Sequence, residues 1–247
     1  MRSRSVTTAA LVLLAAAPLS AQMSGMNHDP DKKIVGGALP TGWSGRTDNA
    51  SKKLEDAKFA AEGGGYHVTS GPAAIYWRDA NRVTVPFTAS ATFTQNKAPS
   101  HPEAYGIFYM GSKLDAPDQQ YAYLLVRGDG KVMVKHRAGS EVHTIIDWTD
   151  NTAVHKADVN GRATNTLSVA AAPDSTRLMV NGTQVAAIGG SYAKADGVVG
   201  LRINHNLDVS VSGFTVKSGE TSVGVTRAEK KAATKAKKAA KKAATQG

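Results

Sequence analysis

The chain reads as an antiparallel all-β sandwich. From about Trp43 onward, short runs rich in β-branched and aromatic residues recur, turn residues separate them, and no sustained helical period intervenes. With 247 residues the chain is long enough for one large β domain.

The elements follow in order. Arg2 and Arg4 precede an apolar stretch, Val6 to Ala17, and the small-residue site Leu19-Ser20-Ala21, which together predict a signal peptide over residues 1–21 and export to the periplasm or the medium. That stretch falls short of the ~20 apolar residues a spanning helix needs, and no later segment approaches it. Residues 22–38 are rich in Gly, Asp, Lys and Met without a period and predict a flexible lead-in. The sandwich is expected over residues 39–218, and a basic tail over residues 219–247.

Within the body, strands are predicted at Tyr66–Ser70, Ala73–Trp77, Arg82–Thr94, Ala104–Met110, Gln120–Arg127, Lys131–Arg137, Val142–Asp147, Asn165–Ala171, Thr176–Asn181, Thr183–Ile188, Val198–Asn204 and Leu207–Val216. Gly128-Asp129-Gly130 and Asn181-Gly182 are hairpin turns, because these residues tolerate the positive φ that tight turns demand. The same turns account for the Arg127-Gly128-Asp129 tripeptide and the sequon-like Asn181-Gly182-Thr183 without an adhesion or glycosylation role. Ile34-Val35-Gly36-Gly37 has the form of a trypsin-like mature terminus, but no Gly-Asp-Ser-Gly-Gly segment follows.

Cysteine is absent, which excludes disulfides, thiolate metal sites and cysteine nucleophiles. The formal charge of +10 is unevenly placed. Arg2 and Arg4 carry two of the ten charges; the segment from Arg227, eight basic residues against Glu229, carries seven; the body is left nearly neutral. The basic character therefore belongs to the tail and gives the body no nucleic-acid signature.

Strand alternation divides each strand into two faces. A symmetric Gly128-Asp129-Gly130 turn sets Tyr123 opposite Lys135 and Tyr121 opposite Arg137, so aromatics and cations share one exposed face. Tyr105 and Tyr109 alternate on a nearby strand, and Arg127, Arg202 and Asn204 complete the set. Aromatic rings offer flat faces to sugars, and guanidinium or ammonium groups bind carboxylate, sulfate or phosphate. The nine residues predict a platform for an oligosaccharide, including an acidic one. Ordinary cross-strand cation-aromatic pairing on a solvated face is the alternative.

Chemical signals are fewer. His101-Pro102-Glu103 places a histidine and a carboxylate two residues apart in a loop, where they could share a proton or a metal, and His205 is a second histidine by residue type. Asp115 and Asp118 could serve a calcium site, although a polar loop explains them equally; no cofactor is predicted. The Glu-x-Asp-x-Glu strand of sandwich glucanases is absent, as are a Gly-x-Ser-x-Gly elbow and a phosphate-binding glycine loop.

The runs His101-Pro102-Glu103-Ala104-Tyr105-Gly106-Ile107-Phe108, Gln120-Tyr121-Ala122-Tyr123-Leu124-Leu125-Val126-Arg127, Val180-Asn181-Gly182 and Gly197-Val198-Val199-Gly200-Leu201-Arg202-Ile203 resemble the concanavalin A-like jelly roll. Within that group the chain is most similar to laminin G-like modules and to the 3-keto-disaccharide hydrolase domain of secreted bacterial proteins. The resemblance implies glycan handling. His101 and Glu103 are the only residues it would carry over as catalytic.

The tail sorts by helical geometry: Lys230, Lys231, Lys235, Lys237, Lys238, Lys241 and Lys242 fall within an arc of about 160° and the alanines oppose them. Such a tail is expected to gain helix on an anionic polymer, cell surface or nucleic acid. The sequence thus predicts an exported, non-catalytic, lectin-like module with a polyanion-binding tail. A glycoside hydrolase or lyase, and a structural matrix or cell-surface protein, are the alternatives.

Overall fold

The computed structural model describes residues 29–190 and 195–219. The expected signal peptide and the Lys/Ala-rich segment lie outside these residues. By internal contacts the chain divides into Met1–Pro30 and Asp31–Gly247, and the fold is that of the second unit.

Fourteen strands and one 3-10 turn are described: β1 (Ser44–Thr47), the turn Leu54–Asp56, β2 (Ala57–Glu62), β3 (Gly65–Ser70), β4 (Ala74–Val83), β5 (Phe87–Gln95), β6 (Ala104–Ser112), β7 (Gln120–Arg127), β8 (Lys131–Ala138), β9 (Glu141–Asp150), β10 (Ala163–Ala171), β11 (Thr176–Val180), β12 (Thr183–Ile188), β13 (Gly197–Ile203) and β14 (Asp208–Ser218). They form two antiparallel seven-stranded sheets. The front sheet has the order β1-β4-β13-β6-β7-β8-β9 and the back sheet β12-β11-β10-β5-β14-β3-β2.

Period-two alternation builds the core between them. Phe87, Ala89, Ala91 and Phe93 of β5 and Leu167 and Val169 of β10 point inward from the back sheet. They meet Ile107, Leu124, Val134 and Leu201 from the front sheet, all buried in one cluster. Outward positions on β5 and β10 carry hydroxyls that pair across the strands, with Oγ separations of 2.9 Å for Ser90 and Ser168 and 2.8 Å for Thr92 and Thr166.

Two strands, β1 and β2, were not evident in the sequence, and the run Arg82–Thr94 is two elements. β4 ends at Val83 and β5 begins at Phe87, with Pro86 between them. Proline cannot donate to the ladder and is not tolerated inside a central strand such as β5. Part of the expected lead-in is tied to the body: the Lys32 N–H donates to Asn206 Oδ1 (2.7 Å) and the Gly36 N–H to Glu55 O (2.8 Å).

Candidate functional site

The Gly128–Gly130 hairpin sets the register that its turn chemistry predicts: Tyr123 faces Lys135 and Tyr121 faces Arg137. These side chains lie on the outer face of the front sheet, where Tyr121 and Tyr123 join Ile75, Trp77, Phe108, Leu125 and Met133 in a second buried cluster. Pairing aligns them in rows. Ser44, Trp77, Gly200, Phe108, Tyr123 and Lys135 stand opposite one another across β1, β4, β13, β6, β7 and β8. Gly200 is needed there, because a Cβ would come within 2.4 Å of the Phe108 ring and of Tyr76 O.

The expected open platform is, at its centre, covered. Tyr121 is fully buried and Tyr123 is 4 % exposed. The Arg202 guanidinium lies 4.7 Å above the Tyr123 ring, and its Nη1 donates to the Tyr121 hydroxyl (3.1 Å). Asp48, just past β1, accepts from both Arg202 Nη atoms, at 2.7 Å from Nη1 to Oδ1. Arg137 donates to the backbone oxygens of Gly139 (3.0 Å) and Asp48 (3.3 Å). Arg46 donates to the Leu114 (3.3 Å) and Ala116 carbonyls, which ties down the β6–β7 loop.

Burial alone would raise the Asp48 carboxyl, but Arg202, with Arg137 and Arg46, holds it below the usual range. Burial opposes the charge of Arg202 while Asp48 and the tyrosines hold it, and the guanidinium stays firmly protonated. Burial raises the Tyr121 phenol to about 12, with Arg202 opposing the shift.

Other expected residues fall elsewhere. Tyr105 and Tyr109 belong to the inner core and are fully buried, because β6 presents its odd positions to the other sheet. They are not part of an exposed face. The Tyr105 hydroxyl accepts from Asn165 Nδ2 (3.3 Å), the hub of a buried network that also accepts the His155 N–H (2.8 Å) and an Asn181 amide hydrogen (2.8 Å). Arg127 pairs with Asp129 and stacks 4.5 Å over Trp148. Lys135 is half-buried on the expected face.

His101 is exposed, and the partner of Glu103 is His205, not His101. His205 Nε2 lies 2.6 Å from Glu103 Oε1, its Nδ1 lies 3.3 Å from Asp31 Oδ1, and Asn204 Nδ2 donates to Glu103 Oε2 (3.2 Å). The imidazole thus stands between two carboxylates. Asp118 pairs with Lys113, whereas Asp115 lines the cleft described next. Among the described residues no group of three or more His, Cys, Asp or Glu is placed to hold a metal ion.

An opening on this face lies beside the covered centre. A cleft of about 430 Å³ is lined by Ser44, Gly45, Trp77, Asp79, Arg82, Lys113, Leu114, Asp115 and Val198. It arises from an irregularity in β4: Trp77 pairs with Gly200 and Arg82 with Val198, so residues 78–81 bulge against Val199 alone. Exposed Asp79, in the bulge, and exposed Arg82, at its end, line the cleft together with the largely buried Trp77, 6 % exposed. None of Trp77, Asp79 and Arg82 was singled out from sequence. The alternation of Ile75 and Trp77 against inward Tyr76 was the available signal for Trp77; the bulge had none.

No family model and no curated protein sequence matches the chain. Solved structures do. A carbohydrate binding module CBM66 from Bacillus subtilis superposes with a TM-score of 0.53 at 18 % identity, over 72 % of this chain and 96 % of that one. A Bacillus subtilis protein of unknown function with a galectin-like fold gives 0.51 at 9 %, over 71 % and 88 %. A Bacteroides ovatus mixed-linkage glucan GH16 protein, in complex with a G4G4G3G product, gives 0.50 at 6 %, over 70 % and 94 %. Two facing antiparallel sheets and this set of neighbours give the body of the chain the concanavalin A-like lectin/glucanase jelly-roll fold.

Proposed function

We propose that this body is an exported glycan-binding module and that the cleft over Trp77 receives the sugar. The cleft carries the reading. Its volume of about 430 Å³ lies within the ~300–1,000 Å³ range of small-molecule sites. Its composition suits a sugar: an indole for the apolar C–H face of a ring, Asp79 and Asp115 to accept from hydroxyls, Arg82 and Lys113 to donate to them. The structural neighbours described as carbohydrate-binding or sugar-bound support it as an analogy of fold. Binding on this reading needs no metal and survives a chelator. The Arg2-to-Ala21 segment supports export, and the tail lysines support adsorption to anionic surfaces.

The test is a glycan screen on the full chain at low and at high salt, with Arg82→Ala alongside. Salt-resistant binding of a defined neutral oligosaccharide that Arg82→Ala abolishes is the expected result. Binding that disappears in salt and ignores Arg82→Ala assigns all recognition to the tail and removes the cleft.

A hydrolase or lyase is the second reading, favoured by the array Asp31, His205 and Glu103, which can hold and pass a proton. Turnover of a glycoside by the wild type that collapses in Glu103→Gln while binding persists would establish it.

A further inference from the structure

We propose that the arginine cluster over Tyr121 and Tyr123 is a second, latched site for the oxyanion of an acidic sugar, with the Asp48 carboxylate as its latch. The inference rests on the reading of the front sheet as the sugar-binding face and extends what that face accepts.

Two guanidinium groups, Arg202 and Arg137, approach one carboxylate, Asp48, and Arg46 adds to the positive field around it. Their hydrogen-bonding capacity is not used up. Arg202 is 7 % exposed, yet its Nε is buried without a hydrogen-bond partner. Arg137 Nη1 stands 3.9 Å from Asp48 Oδ1, beyond hydrogen-bonding distance. A charged donor buried and unspent is costly, and such a group in a folded protein needs an explanation. Arg137 Nη1 is the donor that an oxyanion beside Asp48 can use.

The cluster is also shaped for that ligand. Asp48 engages both Nη atoms of Arg202, the forked geometry that guanidinium groups use for carboxylates. Tyr123 beneath the guanidinium and the Tyr121 hydroxyl beside it fix Arg202 in place before any ligand arrives. The latch can open without unfolding. Asp48 lies outside β1, its N–H stays bonded to Ala73 O (2.9 Å), and its side chain is 25 % exposed, so rotation of the side chain toward solvent vacates Arg202. An incoming carboxylate or sulfate then takes the place of the Asp48 oxygens on the two Nη atoms of Arg202 and comes within reach of Arg137 Nη1.

Calorimetric titration of the full chain with glucuronate, glucose 6-sulfate and glucose at matched ionic strength tests this, since the tail is common to all variants. Asp48→Asn, which removes the competing charge, is expected to bind one of the two acids about tenfold more tightly than the wild type, and not glucose. Which acid gains identifies the oxyanion. Arg137→Gln in the Asp48→Asn background returns the affinity to the wild-type level, while loss of neutral-oligosaccharide binding in Arg82→Ala is read separately, so failure of the cleft and failure of the latch are distinguished. No gain for either acid in a folded Asp48→Asn variant, or an equal gain for glucose, overturns the proposal. Arg137→Gln alone leaves the Asp48–Arg202 pair intact and must weaken whatever acid binding the wild type has; unchanged binding overturns it too.

Discussion

Asp208 opens β14 at the centre of a polar cluster, and its replacement by Asn makes a quantitative test of the fold's electrostatics. Its Oδ1 lies 2.7 Å from His67 Nε2 and 2.9 Å from Asn96 Nδ2, and its Oδ2 lies 2.8 Å from Lys97 Nζ. Burial by itself would raise the carboxyl, but the hydrogen bonds from Lys97, Asn96 and His67 hold it down at about 2, against 3.8 when unperturbed. At ~1.4 kcal/mol per unit the shift corresponds to ~2.5 kcal/mol. The Lys97 side chain is 60 % exposed, so solvent screening reduces this to about 1–2 kcal/mol.

The carboxyl is held below its unfolded value. Its contribution is therefore complete well above 3.8 and disappears as pH falls through about 2, with roughly half gone by about pH 3. Urea unfolding of wild type and Asp208→Asn at neutral pH and at about pH 3 measures both quantities. The variant should be less stable by about 1–2 kcal/mol at neutral pH, and the gap should narrow on acidification. Equal stabilities at neutral pH, or a gap that does not change with pH, would refute the argument.

Gly200→Ala puts a methyl group into the Phe108 ring and the β4 backbone, and should destabilise the protein by about 1–3 kcal/mol in thermal or urea unfolding. Asn165→Leu should cost about 2–3 kcal/mol by stranding the Tyr105 hydroxyl and the His155 N–H, and an unshifted unfolding midpoint would show that the network is dispensable. Truncation after Ser218 should abolish salt-sensitive adsorption to polyanions such as DNA and leave sugar binding intact; retained adsorption would place the anionic contact on the body.

How much of this was legible in the sequence depended on the range of the interaction. The hairpin at Gly128–Gly130 is local, and its turn residues fixed the β7–β8 register to the residue, including Tyr121 opposite Arg137. The phase of β6 was legible locally, but whether odd or even positions faced the second sheet was a tertiary matter, and Tyr105 and Tyr109 went inward. Asp48 bonds to Arg202 across 154 residues, and Asp31 approaches His205 from the other end of the chain. No local pattern encodes such pairs. The β4 bulge that opens the cleft depends on how β13 aligns against β4, and only the assembled sheet reveals it.

A crystal structure of the full chain with the tightest neutral oligosaccharide from the screen decides whether a sugar sits against Trp77. The expected result is a sugar ring against the Trp77 indole, with hydroxyls bonded to Asp79 and Arg82. A sugar bound instead on the hydroxyl-covered outer face of the back sheet, or at Glu103 and His205, with the cleft empty, would contradict it.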